Sequence, residues 1–183
     1  MITTLPMIIS EQSLLKFTGR VNLLSVSNSG HLGAIFFKQG ILVHARYREQ
    51  FAIRALENII TEIYKHHTEQ IFKYVIEPEI IFEHEHSFSL DGDEFNQLLI
   101  KIHREYDQLL KQRPSDSLQI KINATFLHQG EGIDTNEFDL LKLLSSQQSI
   151  ADLSAQTTLT EFELLKSIIS LRKKGAIRVL AIS

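Results

Sequence analysis

The sequence predicts an α+β fold in which a mainly antiparallel four-stranded sheet is packed by helices. Three observations lead to this prediction. Apolar segments between residues 18 and 47 are separated by short turns, a helical pattern follows at once, and the end of the chain repeats one helix-start signature. We expect a front domain at residues 1–86, a long helix with an extended segment at 87–132, and a compact module at 133–183.

The front domain is predicted to open with a short helix at Ser10–Phe17, with Ser10 as its N-cap. Strands are predicted at residues 21–26, 32–37 and 41–47, because the turn residues Ser27–Gly30 and Gln39-Gly40 separate alternating segments. The second strand is apolar on both faces, which predicts that it is central and covered on both sides. In the third strand, the alternation places His44 and Arg46 on one face together with Leu42.

Two amphipathic helices are predicted at about residues 51–65 and 93–111, because apolar residues recur there at helical spacing. Asp91 and Glu94 have the spacing of a capping box at the start of the second. A fourth strand is predicted at Thr68–Glu77, and an extended segment at Leu118–Leu127.

The C-terminal module is predicted to contain three short helices and a strand, in the manner of a winged helix. Each helix starts with a capping residue followed three positions later by an acidic residue. The basic end of the third helix is followed by Gly175, and a wing-like strand is predicted at Ala176–Ile182. The three capping pairs are Asp134 with Glu137, Ser149 with Asp152, and Thr160 with Glu163.

Composition excludes several classes of function. The chain has no cysteine, so it forms neither disulfides nor thiolate metal sites. It carries 19 Lys and Arg against 22 Asp and Glu, and no section has the positive excess that nucleic acids or anionic lipids select. The N-terminus lacks a secretory pattern, and the apolar runs are far shorter than a membrane span. We therefore expect a cytoplasmic protein without membrane insertion, for which a homo-oligomer is compatible with the sequence.

The front half resembles the PATAN domain family of bacterial signalling proteins. The resemblance covers roughly residues 10–80 and depends on the order of its segments: TGRVNLLSV, GHLGAIFFKQGILVHARY, ALENII and EQIFKYVIEP. It implies an interaction or regulatory module without catalytic residues or cofactors, whose partner belongs to a signalling or motility circuit. The chain departs from commoner members at Asn28–His31, where they have a more charged turn.

The segment Glu83-His84-Glu85-His86 is the strongest candidate for a metal site. In an extended chain the two histidines project to one side, and a zinc ion would need further ligands from His66, His67 or His103. The alternative, a solvated polar connector, is favoured. The glycines of the front half lack the spacing of phosphate-binding loops and are interpreted as turns or close backbone approaches. Catalytic motifs with a nucleophile and its base are likewise not found, which predicts a protein that is not an enzyme.

Three basic residues of the third strand and the turn after it are the candidate partner-binding residues. These are His44, Arg46 and Arg48. The alternative is that His44 is a half-buried residue with satisfied hydrogen bonds and that Arg46 pairs with a carboxylate such as Glu49. A ligand sensor would require a convergent pocket near His44 and Arg46.

The C-terminal module leaves DNA binding as the alternative function. In such a reader the start of the recognition helix contacts base edges, but this helix would begin Thr160-Glu161-Phe162-Glu163. Two carboxylates at that point repel phosphates, and the basic triplet Arg172-Lys173-Lys174 lies at the other end. A protein-binding adaptor is therefore favoured over a transcription regulator, and DNA is an unfavoured partner.

Overall fold

The computed structural model describes residues 4–66, 71–115, 118–129, 132–144 and 148–180. The fold is α+β, as predicted. Contacts divide the chain into two compact units, unit 1 at residues 1–104 and unit 2 at residues 105–183, and the division falls within the longest helix. None of the described helices is both long and apolar enough to span a bilayer.

Unit 1 combines a five-stranded antiparallel sheet with helices. The strand order is β4 (Gln50–Phe51), β3 (Ile41–Tyr47), β2 (His31–Lys38), β1 (Gly19–Ser25) and β5 (Phe72–Pro78), so β2 is central as predicted. One strand more than predicted is present, because Gln50 and Phe51 turn back to pair with the end of β3. In chain order the elements are α1 Leu5–Leu14, β1 Gly19–Ser25, β2 His31–Lys38, β3 Ile41–Tyr47, β4 Gln50–Phe51, α2 Ala52–Lys65, β5 Phe72–Pro78, a 3-10 turn Glu83–Glu85, and α3 Gly92–Gln112.

Helices α2 and α3 confirm the two amphipathic predictions, and the Asp91–Glu94 capping box is formed. The prediction for the first helix was wrong. The helix starts at Leu5 rather than Ser10, because Pro6 suits a first helical turn and Leu5, Ile8 and Ile9 form the stripe that is buried. The predicted fourth strand at Thr68–Glu77 corresponds to β5, and its positions 68–70 lie outside the described residues.

The hydrophobic core of unit 1 lies on one face of the sheet, here called the inner face, where α1, α2 and α3 pack. Strand residues on this face include Val21, Ile35, Ala45 and Tyr47. The prediction that β2 is covered on both sides was wrong for the described part of unit 1, because its helices α1, α2 and α3 all pack on the inner face. Leu42 was also misplaced: a register shift beside Phe37 turns its side chain into this core, away from His44.

Unit 2 contains a second, three-stranded sheet of order β7 (Gln148–Ser149), β6 (Gln119–Ile122) and β8 (Ile177–Leu180). The predicted extended segment Leu118–Leu127 was partly wrong, because it is a four-residue strand followed by a helix. The predicted wing strand is present as β8, and its predicted positions 181 and 182 lie outside the described residues. Its neighbour β6 precedes the helices, so the described residues form no hairpin after α7. The elements are the end of α3, then β6 Gln119–Ile122, α4 Ala124–Gln129, α5 Thr135–Leu143, β7 Gln148–Ser149, α6 Ile150–Gln156, α7 Glu161–Lys173 and β8 Ile177–Leu180.

The three helix starts of unit 2 are confirmed as capping boxes. In each, the capping side chain accepts a hydrogen bond from the third backbone N–H, and the acidic side chain accepts one from the cap. The apolar side chains of α7 contact two different groups of residues. Its Leu164, Ile168 and Leu171 enter the core with α5 and α6, whereas Phe162 contacts Tyr106 at the end of α3.

Candidate interaction surface

The second face of the unit 1 sheet, here called the outer face, carries two cross-strand rows of side chains. Residues directly opposite each other in an antiparallel pair share a face, so the register defines the rows. The first row, from β5 to β3, is Glu77, Arg20, Phe36 and His44. The second row, from β5 to β4, is Val75, Asn22, Ala34, Arg46 and Phe51.

His44 and Arg46, two of the three predicted site residues, lie next to each other on this face. The Arg46 guanidinium lies 5.3 Å from the centre of the Phe51 ring, which is 51% exposed. The expected alternative for Arg46 was an ion pair with Glu49, and the structure places it over an aromatic ring instead. Arg46 and Phe51 thus form an exposed cation–π pair at one side of the outer face.

His44 is half-buried and lies between an aromatic ring and a hydroxyl group. Its ring is 5.4 Å from that of Phe36, and its Nδ1 lies 2.8 Å from the Ser87 hydroxyl oxygen. Burial is the main cause that lowers the pKa of His44, the positive charge of Arg46 lowers it further, and Glu85 opposes both. The neutral imidazole is therefore favoured, as expected for a histidine with satisfied hydrogen bonds.

A second polar cluster lies on the β1 and β5 side of the outer face. One oxygen of Glu77 accepts hydrogen bonds from Arg20 Nε at 3.0 Å, from Arg20 Nη2 at 2.8 Å and from Asn22 Nδ2 at 2.8 Å. These hydrogen bonds lower the pKa of Glu77 and raise that of Arg20. His31 Nε2 lies 3.3 Å from Asn22 Oδ1 and extends the cluster. The charges on this side are largely satisfied within the sheet.

The connector between β5 and α3, residues 79–90, crosses from one sheet edge to the other along the end of the outer face. Glu79 Oε2 lies 3.5 Å from Arg20 Nε, and Glu83 Oε1 lies 3.8 Å from Lys38 Nζ. Ser87 then contacts His44 and Leu90 pairs with Leu42 at the edge of β3. The connector forms a rim that carries exposed apolar side chains, with Ile80 76% and Phe82 57% exposed.

The candidate metal ligands do not converge in the described part of the chain. The Glu83–Glu85 turn is exposed, and the His84 ring stacks against Phe82 with centres 5.6 Å apart. The rings of His103 in α3 and Tyr64 in α2 are stacked, with their centres 4.2 Å apart. His67 lies outside the described residues. Among the residues that the structure describes, no three His, Asp or Glu side chains come together in a metal-binding group.

Arg48, the third predicted site residue, lies apart from His44 and Arg46. It occupies the turn between β3 and β4 and lines a cleft of about 410 Å³ at one end of the sheet. Its guanidinium lies 5.3 Å from the centre of the Tyr47 ring. Burial raises the pKa of Tyr47, although the nearby Arg48 charge acts in the opposite direction. The cleft that a ligand sensor would use is therefore lined by Arg48, and neither His44 nor Arg46 lines it.

Helix α7, the candidate DNA-reading helix, is enclosed on more than one side. Its Glu161 forms an ion pair with Arg113 at 2.8 Å, and Phe162 packs on Tyr106. These contacts occupy the helix start, the region that a DNA reader needs to be free. Seven of its side chains are buried: Phe162, Leu164, Leu165, Ser167, Ile168, Ile169 and Leu171.

Sequence reasoning missed Phe51, which was assigned to the start of a helix. Its position two residues after the turn residue Glu49 was the available signal, because a two-residue turn returns the chain to the strand that it left.

Comparisons of the chain with protein-family models, curated proteins and solved structures give no match.

Proposed function

We propose that the chain is a non-enzymatic regulatory adaptor that binds another protein through the outer face of its sheet. One observation carries the proposal: all three helices of unit 1 lie on the inner face, which leaves exposed Arg46 and Phe51 side by side on the outer face. Arginine and aromatic side chains are enriched at protein interfaces and supply much of their binding energy.

The resemblance of residues 10–80 to PATAN domains supports the same proposal and makes it more specific. It suggests a cytoplasmic bacterial protein whose partner belongs to a signalling or motility circuit. The partner surface would contain an acidic group opposite Arg46 and an apolar pocket for Phe51, because these two side chains are the exposed charged and aromatic groups of the second row.

We assign the C-terminal module a structural or protein-facing role rather than a DNA-binding one. Support comes from the burial of α7 and from the pairing of Glu161 with Arg113. A gel-shift assay at low and moderate salt tests this assignment. We expect little binding, whereas a DNA complex whose affinity falls steeply with added salt would contradict it.

Charge reversal on the outer face tests the proposed function. Tagged wild-type chain, Arg46→Glu and the control Arg178→Glu are used to capture proteins from the native host. Arg178 is a matched control because it is also an exposed strand arginine, but lies in unit 2. We expect one protein to be retained by the wild type and the control and lost with Arg46→Glu. Equal capture by all three chains would contradict the outer face as the binding surface.

A further inference from the structure

The open cleft next to Arg48 has a volume in the range of small-molecule sites and a lining that is partly apolar and partly polar. Its volume of about 410 Å³ falls within the range of ligand pockets. One wall is apolar and is formed by Leu32, Ile71 and Phe72 together with Val26. This wall suits the hydrocarbon part of a small ligand.

The backbone of Arg48 adopts a conformation that favours glycine. Its φ of +52° lies in the left-handed region, where a Cβ atom is sterically unfavourable. Its N–H donates a hydrogen bond to the carbonyl of Leu32 at 2.8 Å, which fixes the turn at the mouth of the cleft. The turn therefore holds a long side chain in a backbone conformation that glycine would adopt at lower cost.

Among the described residues that line the cleft, Arg48 is the charged group without an ion pair. Glu62 also lines the cleft, but Lys65 Nζ lies 3.2 Å from its carboxylate and neutralises it. Within the described part of the chain, no carboxylate lies within ion-pair distance of the Arg48 guanidinium, which lies over the Tyr47 ring. A planar guanidinium of this kind binds carboxylate and phosphate groups in a bidentate manner.

Hydroxyl donors complete the polar side of the cleft. Ser25 and Ser27 both line it, and their hydroxyl oxygens lie 2.7 Å apart. His66, at the end of α2, lines the cleft as well. Hydroxyl groups and an imidazole next to an arginine provide donors for the oxygens of an anion.

We propose that this cleft binds a small organic anion, with its carboxylate or phosphate on Arg48 and its apolar part on Leu32 and Ile71. The cleft is distinct from the outer face, so the proposal of an anion site does not depend on whether the outer face binds a protein. The neutral and cationic relatives of the same ligand should be rejected, because they leave the guanidinium without a partner.

Four probes with the same six-carbon chain test the proposal on the full-length protein. Hexanoate, hexyl phosphate, hexanol and hexylammonium are titrated while the Leu32 and Ile71 methyl signals are followed by NMR. We expect saturable shifts with one or both anions, at least tenfold tighter than with hexanol or hexylammonium. The preferred anion identifies the head group, and inorganic phosphate alone shows whether a phosphate binds without the apolar part.

Two glycine substitutions provide the matched variants. Arg48→Gly removes the guanidinium and relieves the backbone, so the protein should stay folded and lose at least tenfold in affinity for the anion. Gln39→Gly relieves the same kind of backbone conformation, with φ of +51° at the β2–β3 turn, and should bind as the wild type does. Unchanged binding by Arg48→Gly, or equal binding of hexanoate and hexylammonium, would overturn the proposal.

Discussion

The ammonium nitrogen of Lys174 lies 2.7 Å from Oε1 and 2.6 Å from Oε2 of Glu137. The two side chains differ sharply in burial. The Glu137 side chain is 1% exposed, whereas that of Lys174 is 33% exposed. Lys174 is also the C-cap residue of α7 and donates to the carbonyl of Gly132. The pair therefore joins the start of α5 to the end of α7 within unit 2.

Removing Lys174 should destabilise the protein more than neutralising Glu137. Lys174→Met leaves a buried carboxylate without its cation, and we expect a loss of about 3 kcal/mol in the free energy of unfolding. Glu137→Gln leaves a lysine that can turn into solvent, and should cost about 1 kcal/mol. Urea unfolding of both variants measures the difference. A larger loss for Glu137→Gln would contradict the assignment of Glu137 as the buried partner.

Because of the same pair, the free energy of unfolding should fall at acid pH. Burial alone would raise the pKa of Glu137, but hydrogen bonds from Lys174, Ser170 and the Asp134 backbone outweigh it and lower the pKa. The stability contribution is thus complete above the unfolded pKa of about 4.3 and is lost as pH falls through the folded pKa. Unfolding measured between pH 7 and pH 3 should show this loss, and Glu137→Gln should reduce the slope. An identical slope in the variant would argue against Glu137 as its source.

His44 should titrate below the ordinary histidine pKa of 6.5, because burial and Arg46 both favour its neutral form. The contribution of His44 to the free energy of unfolding is therefore full above pH 6.5. It declines as the pH falls below 6.5, because the histidine of the unfolded chain takes up a proton at a higher pH than that of the folded chain. In Arg46→Ala the pKa should rise but stay below 6.5, because burial is the larger cause. NMR titration measures it, with Arg178→Ala as the control that leaves it unchanged.

Gly33 should not tolerate a side chain. A Cβ atom there would lie 2.1 Å from the Arg46 carbonyl oxygen and 2.9 Å from the Tyr47 Cα atom, both backbone atoms of the neighbouring strand. Gly33→Ala should destabilise the protein by about 2 kcal/mol. The control Gly92→Ala meets only Ser13 atoms at 3.6 Å or more and lies in the first turn of α3, so it should be neutral or slightly stabilising. Equal effects in thermal unfolding would contradict the close approach at Gly33.

The elements that the sequence predicted well are those determined by local signals. Helix α2 follows from its apolar spacing, and the capping box of Thr160 and Glu163 depends on residues three positions apart. Local chemistry was sufficient for both. The prediction that glycines such as Gly33 mark turns or close backbone approaches is also confirmed, although the backbone that approaches Gly33 belongs to another strand.

Apart from the start of α1, the wrong predictions depended on relations between distant segments. The buried side chain of Leu42 results from a register shift against β2, which the alternation of β3 alone does not reveal. The strand β6 pairs with β8, almost sixty residues later in the chain, and only that pairing distinguishes it from an irregular linker. In the candidate site, the neighbours His44 and Arg46 were predictable from strand period, whereas Phe51 required knowledge of the β3–β4 pairing.

The affinity of the captured partner for two phenylalanine variants tests the central claim most directly. Phe51 and Phe138 are 51% and 54% exposed, and each has a cation over its ring, at 5.3 Å and 4.5 Å. The claim predicts that Phe51→Ala weakens binding at least tenfold in calorimetric titration, whereas Phe138→Ala binds within twofold of the wild type. Wild-type affinity for Phe51→Ala, with both variants folded by circular dichroism, would contradict the outer face as the partner-binding surface.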